Sequence, residues 1–178
     1  MRHGRTEANI QGLMCGSGWD IPLHDEGIKQ AQRVAAIVPT LKIPIEEIYV
    51  SPMQRAQQTA KIVNAPMNLP INIVHNIREW DLGEWEKIPW NTLPHIFNHY
   101  ISPPAGENTD QFSKRAVEAV ASILYNTNKV PLIVSHGGIA NFLLKALGLG
   151  NRLVENCQLC YLQFEKESNC YNLEIFNH

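Results

Sequence analysis

The spacing of apolar and polar positions changes period along the chain. Ile28, Ala31, Ala35 and Val38 recur every three or four residues, which marks one face of a helix, and Asp25 stands ahead of them as its cap. Ile45–Val50 is an apolar run of strand length. Ser51 then reads as an N-cap and Pro52 as the first helical residue of a second helix, whose stripe is Met53, Ala56, Ala60 and Val63. Ile71–Val74 reads as a second short strand. Trp80–Pro104 breaks the rhythm: it is rich in Trp and Pro with little periodicity, and predicts a loop-rich cap or pocket wall. Thr109 is placed to cap a helix running to about Tyr125, with Phe112, Ala116, Val120 and Leu124 inward. Pro131–Ser135 reads as a strand, Ile139–Leu147 as a helix closed by Gly148, and Leu159–Phe164 and Tyr171–Phe176 as two late strands. Strands alternating with helices predict an α/β fold, a central sheet with helices on its faces, in one domain over residues 1–178.

Composition narrows the classes. The 178 residues are 44% hydrophobic and 18% charged, which excludes disorder and coiled coil. A net charge of −2 leaves no basic excess for a phosphate backbone, so no nucleic-acid partner is expected. No apolar run approaches the ~18 residues of a membrane span, so no membrane partner is expected either. Cys15, Cys157, Cys160 and Cys170 show no framework spacing and read as reduced thiols, which predicts a cytoplasmic location. Cys157 and Cys160 form a C-x-x-C inside Asn156–Phe164, a segment that reads as strand. An odd offset there points them to opposite faces, which argues against zinc. No signal-peptide pattern is visible.

Three junctions carry unusual residues: Arg2-His3-Gly4-Arg5-Thr6-Glu7-Ala8-Asn9, Ser51-Pro52-Met53-Gln54-Arg55, and Ser135-His136-Gly137-Gly138 opening a helix. Ligands of open α/β sheets bind beyond the carboxyl ends of the strands, where helix N-termini favour anions. Two His and two Arg can therefore converge there on one small oxyanion such as a phosphate. A neutral imidazole is a competent nucleophile, and nearby guanidiniums both depress its pKa and neutralise phosphoryl oxygens. An acid is still needed to protonate the leaving alkoxide, and Glu79 is the candidate, with Glu84 or another carboxylate as the alternative.

These segments resemble the histidine phosphatase superfamily, in its phosphoglycerate mutase-like branch. The Arg2–Asn9 run is similar to the family's signature. Gly18-Trp19-Asp20-Ile21-Pro22-Leu23, Ser51-Pro52-x-x-Arg55-Ala56, Ile77-Arg78-Glu79-Trp80-Asp81-Leu82-Gly83-Glu84-Trp85-Glu86, Pro104-Ala105-Gly106-Glu107-Asn108 and Val134-Ser135-His136-Gly137-Gly138 follow in the family's order across nearly the whole chain. The resemblance implies a three-layer α/β/α sandwich with a mostly parallel central sheet. It implies that His3 accepts the phosphoryl group, that Arg2, Arg55 and His136 clamp it, and that Glu79 protonates the leaving group and then activates water. Asn9, the backbone at Gly137, and Gly16 and Ser17 are the substrate-binding candidates, although Asn9 also fits a simple helix cap. No metal and no cofactor is implied, because Arg and His supply the positive charge. The family's first strand precedes Arg-His-Gly, so several further apolar residues are expected upstream. Asn141 stands where the family often has Arg, and Asn108 where Ser is common.

The Asp-Leu-Gly-Glu-Trp-Glu form resembles the branch of α-ribazole phosphatase and broad-specificity phosphatases. The expected activity is metal-independent hydrolysis of a small phosphate ester. Residues 80–104 contain Lys87 and no Arg, which disfavours a mutase holding a bisphosphate. A protein phosphatase acting on phosphohistidine and a non-catalytic binding module are the remaining readings. His24, His75, His95, His99 and His178 read as surface or pocket-wall residues, and Trp80, Trp85 and Trp90 as packing. The oligomeric state, monomer or homodimer, is open.

Overall fold

The computed structural model describes residues 1–92 and 101–176. His95, His99, His178 and part of the expected cap lie outside them. The described elements are α1 (Glu7–Gln11), α2 (Asp25–Ile37), β1 (Ile45–Val50), α3 (Gln54–Asn64), β2 (Ile71–Ile73), α4 (Thr109–Tyr125), β3 (Val130–Val134), α5 (Gly137–Ala146), β4 (Leu159–Glu165) and β5 (Cys170–Phe176). β1 is central in a parallel sheet of order β2-β1-β3. Alternation along the strands sorts its side chains between two cores. Ile48, Val50, Leu132 and Val134 pack with Ala31 and Val34 of α2 and Ala56, Ala60 and Val63 of α3. Tyr49 and Ile133 turn to the opposite face, where Phe112, Ala116 and Val120 of α4 meet Ile139 and Phe142 of α5. The result is the expected three layers, helices on both faces of a parallel sheet.

Met1–His3 extends this sheet past β3. The Met1 amine donates to Ile133 O at 2.8 Å and Ser135 N–H to Met1 O at 3.0 Å. On the other side Cys157 N–H donates to Arg2 O at 3.1 Å, which ties Arg2 to the segment leading into the antiparallel β4–β5 hairpin. Beyond Met1, an apolar cavity of about 570 Å³ is bordered by Leu124, Val130, Leu132, Leu147, Leu159 and Tyr161. Among the described residues no helix is long and apolar enough to cross a membrane.

Several boundaries differ from the sequence expectation, each for a local reason. His24, not Asp25, caps α2, its Nδ1 accepting Glu26 N–H at 3.1 Å. The inward face of α2 is Gly27, Ala31 and Val34, and Ile28 is 36% exposed. Gly27 lies against the Arg5 backbone, where a Cβ would come within 2.1 Å of Arg5 O, and this contact turns the neighbouring Ile28 outward. α3 begins at Gln54 rather than Pro52: Ser51 Oγ accepts Met53 N–H at 3.3 Å, and Asp20 Oδ1 accepts Gln54 N–H at 2.8 Å. Asn108 caps α4 in a capping box with Gln111. Over the 17 residues of α4 the 3.6 period drifts from the expected stripe, burying Ala119 and Ile123 and leaving Leu124 50% exposed. β2 ends at Ile73, β3 spans one residue earlier than expected, and α5 starts at Gly137, directly after an extended His136. Cys157 is not in a strand: its φ of 60° places it in a turn, held by N–H donation to Arg2 O and His3 O. The face argument for the C-x-x-C therefore does not apply. All four cysteines are free thiols.

Candidate active site

Three chain junctions meet at one end of the parallel sheet: Arg2-His3 beyond the Met1 extension, Ser51 beyond β1 and His136 beyond β3. His3, Ser51 and His136 are buried. The two imidazole centroids lie 5.2 Å apart with their planes at 62°. His3 Nδ1 sits 2.7 Å from Gly4 O. A carbonyl only accepts, so Nδ1 carries the ring proton and Nε2 keeps a lone pair. Gly4 N–H in turn donates to Thr59 Oγ1, and Thr59 Oγ1–H to Arg55 O, so the loop that carries His3 is tied to the helix that carries Arg55.

Arg55 is fully buried at the start of α3. Its Nη2 donates to Gly16 O at 2.9 Å and Cys15 O at 3.5 Å, its Nη1 to Trp19 O at 3.3 Å, and Asp20 Oδ1 stands 3.9 Å away. Arg2 Nη1 donates to Val154 O at 2.9 Å. The Arg2 side chain crosses the start of α5 at Gly137, where a Cβ would come within 3.3 Å of Arg2 Nε. Arg2 Nε, Arg55 Nε and His136 Nδ1 are buried without a protein partner. Native interiors rarely leave such groups unpaired, so their presence around one site fits an anion that is bound there. Burial first, then Arg55 and Arg2, pushes the His3 pKa well below the ordinary imidazole value. Burial, then Arg55 and His3, does the same to His136. Both rings are therefore neutral near pH 7, and His3 offers an uncharged lone pair beside two guanidiniums. Among the described residues no group of three or more His, Cys, Asp or Glu is arranged to hold a metal ion.

Glu79 reaches the same place from an irregular segment. Its Oε2 accepts Gly138 N–H at 3.1 Å and its Oε1 accepts Trp80 N–H at 3.0 Å. Gly138 admits this approach, since a Cβ there would lie 2.4 Å from Glu79 Oε1. The other sequence candidates fall in two groups. Gly137 opens α5 beside Arg2. Asn9 Oδ1 is taken by the capping box of α1, accepting Thr6 N–H and Thr6 Oγ1–H at 3.1 Å. The Gly16 amide donates to Glu86 Oε2 at 2.8 Å and the Ser17 amide to Trp80 O at 2.9 Å, so neither amide is aimed at a ligand.

A family model, the histidine phosphatase superfamily (branch 1), matches residues 1–174. The chain belongs to the histidine phosphatase superfamily. It is 32% identical over 175 residues to the uncharacterized phosphatase PhoE of Bacillus subtilis, covering 94% of this chain and 88% of that protein. It is 30% identical over 159 residues to the adenosylcobalamin/α-ribazole phosphatase of Escherichia coli, covering 83% and 76%. The crystal structure of the α-ribazole phosphatase from Shigella flexneri superposes with a TM-score of 0.82 at 26% identity, covering all of this chain and 94% of that one.

The same region of this histidine phosphatase also holds residues that the motifs did not single out as site residues. Ser51, read as a helix cap, has its Oγ 2.6 Å from His136 Nε2. Glu86 holds the 16–18 loop through both carboxylate oxygens. Asn156 donates to His3 O at 3.1 Å. Arg115 donates to the backbone carbonyls of Asn76, Arg78 and Glu79. Only Ser51 and Glu86 carried a signal in the chain, since they lie inside motifs already singled out. Asn156 and Arg115 are far from their partners in sequence and stand in no motif.

Proposed function

We infer that this histidine phosphatase hydrolyses small phosphate monoesters through a phosphohistidine on His3 Nε2. The observation that supports this best is the His3 tautomer: Nδ1–H is held by Gly4 O, and Nε2 is left as a neutral lone pair. In the first step Nε2 attacks phosphorus, the P–O bond to the leaving alkoxide breaks, and Glu79 in its acid form supplies the proton to that oxygen. In the second step the Glu79 carboxylate takes a proton from water, the water oxygen attacks phosphorus, the P–N bond breaks, and inorganic phosphate leaves a neutral His3. Arg2, Arg55 and His136 hold the equatorial oxygens, with support at Gly137 and from the Ser17 hydroxyl, and Asn9 acts through the cap of α1. The charge comes from the protein, so turnover is expected to persist in EDTA.

A mutase would need further cations for a second phosphate. Lys87 of the 80–92 segment has its amine over the Trp19 ring, 5.1 Å from the centroid, which favours the hydrolase. For the substrate we propose an ester of a ring-bearing or apolar alcohol, as in the names of the α-ribazole relatives. Trp80 and Trp85 are buried packing residues, whereas Trp19 is half-buried, with its carbonyl accepting from Arg55, and is our proposed contact for the alcohol. We read residues 1–178 as one catalytic domain, with a cap at about 80–104, acting in the cytoplasm.

The test is a rapid quench with a ³²P-labelled ester. An acid-labile, base-stable adduct should form on the wild type and be absent in His3→Ala. Activity of His3→Ala within tenfold of wild type removes His3 from the nucleophile role. A metal-free ester panel beside a 3-phosphoglycerate mutase assay with bisphosphate primer separates hydrolase from mutase.

A further inference from the structure

Glu79 is carried by backbone that is neither helix nor strand, and residues 78–82 have no ladder of their own to fix them. A group that must meet a leaving oxygen needs its backbone held to a fraction of an ångström. One side chain does this from another layer. Arg115, on α4, donates through Nη1 to Asn76 O at 2.8 Å and Arg78 O at 3.0 Å, and through Nη2 to Glu79 O at 3.3 Å. The rest of the fork goes to Glu107, Nε to Oε1 at 2.7 Å and Nη2 to Oε2 at 2.6 Å. A guanidinium has five N–H groups, and here each has an acceptor. The pair is shielded, with side-chain exposures of 12% and 14%. The Arg115 guanidinium lies 5.0 Å over the Phe112 ring, and Phe112 stacks on Trp80 at 5.3 Å, the residue next to the acid. Glu107 closes the loop, its N–H donating to Asp81 O at 2.9 Å and its O accepting Trp80 Nε1–H at 2.7 Å.

We propose that Arg115, oriented by Glu107, is the positioning residue that sets the Glu79 carboxyl at the leaving-group oxygen. The proposal rests on the reading of Glu79 as the acid. Its force lies in where the bonds go. An ion pair that merely stabilised the core would have no need to engage the carbonyls of residues 76, 78 and 79 together. Glu107 neutralises Arg115 locally, so the pair acts on the acid chiefly through geometry. Lysine carries charge but lacks the planar fork, and cannot reach a carboxylate and three carbonyls at once.

The experiment measures kcat/KM, metal-free, over aryl and alkyl phosphates of increasing leaving-group pKa, for wild type, Arg115→Lys, Glu107→Gln, Glu79→Gln and the double variant Arg115→Lys/Glu79→Gln. Displacing a catalytic group by an ångström costs up to about a hundredfold. Arg115→Lys should therefore lose on the order of ten- to a hundredfold on alkyl phosphates, and within about threefold on the best aryl leaving groups, chiefly in kcat. Glu107→Gln should shift the same way by less, and serves if the lysine variant does not fold. In the Glu79→Gln background the Arg115 change should add no leaving-group dependence. If Arg115→Lys and Glu107→Gln lose activity equally for all leaving groups while Glu79→Gln is selective for poor ones, the clamp is only structural and the proposal falls alone. If Glu79→Gln itself is equally impaired throughout, the acid assignment falls and takes the proposal with it.

Discussion

The two halves of the site are held by different physics. The phosphate half, with Arg2, His3, Arg55 and His136, grows directly from the ends of a parallel sheet and the helices that follow. Its side chains are placed by regular structure and by bonds to neighbouring carbonyls, such as Gly4 O under His3 and Gly16 O under Arg55. The other half, with Glu79, is irregular chain pinned from outside by Arg115 and Glu107. In the proposed reaction the phosphate half binds a group common to every ester, so it is fixed once. In that reaction the other half meets the alcohol, which differs between substrates, and a loop held by side chains can change its form without disturbing the sheet.

Breaking the phosphate half should have the largest effect. Arg55→Ala is expected to lower kcat by about 10²–10³, as for loss of a preorganised donor to developing charge, and equally for good and poor leaving groups. Glu79→Gln tests the other half: it should lose about 10² on alkyl phosphates and far less on activated aryl esters. A uniform loss would move the acid to another carboxylate. Ser51→Ala sharpens the contrast on the stability side. It strips His136 Nε2 of its hydroxyl partner in a buried setting, so thermal unfolding should show a loss of about 1–3 kcal/mol. The smallest effect is on pH dependence. Both imidazoles are held neutral in the fold, well below the value of about 6.5 that they regain on unfolding. The unfolded chain therefore binds more protons as pH falls below about 6.5, so stability is full above that value and declines toward acid. Urea midpoints between pH 7.5 and 5 should fall, and less steeply for His3→Gln.

Most of the phosphate half was legible in the chain, and much less of the other. His3, Arg55 and His136 sit in short motifs at strand-to-helix junctions, and a parallel sheet brings such junctions to one edge. Glu79 was legible by motif register alone. Arg115 was not, because it appears in the sequence as an ordinary polar position on an amphipathic helix. Its role exists only where α4 passes the 76–79 carbonyls. At Gly16, Ser17 and Asn9 the motifs could not show which groups stay available: the Gly16 and Ser17 amides and the Asn9 side-chain carbonyl are engaged by Glu86, Trp80 and the α1 cap. Leu124 and Ile28 were misplaced because a three-or-four spacing leaves the rotation of a helix undetermined by one position, and only packing against a neighbour such as the Arg5 backbone selects it.

By itself the sequence determined the order of strands and helices, the layers they form, and the residue types available to a phosphate, because periodicity and junction motifs are local properties of the chain. Tertiary structure alone decided which nitrogen of His3 keeps its lone pair, which hydroxyl meets His136, and which cation holds the backbone at Glu79. Each of those depends on a carbonyl, hydroxyl or guanidinium set in place by the final packing, and hydrogen-bond direction is fixed only when donor and acceptor stand within about 3 Å of each other.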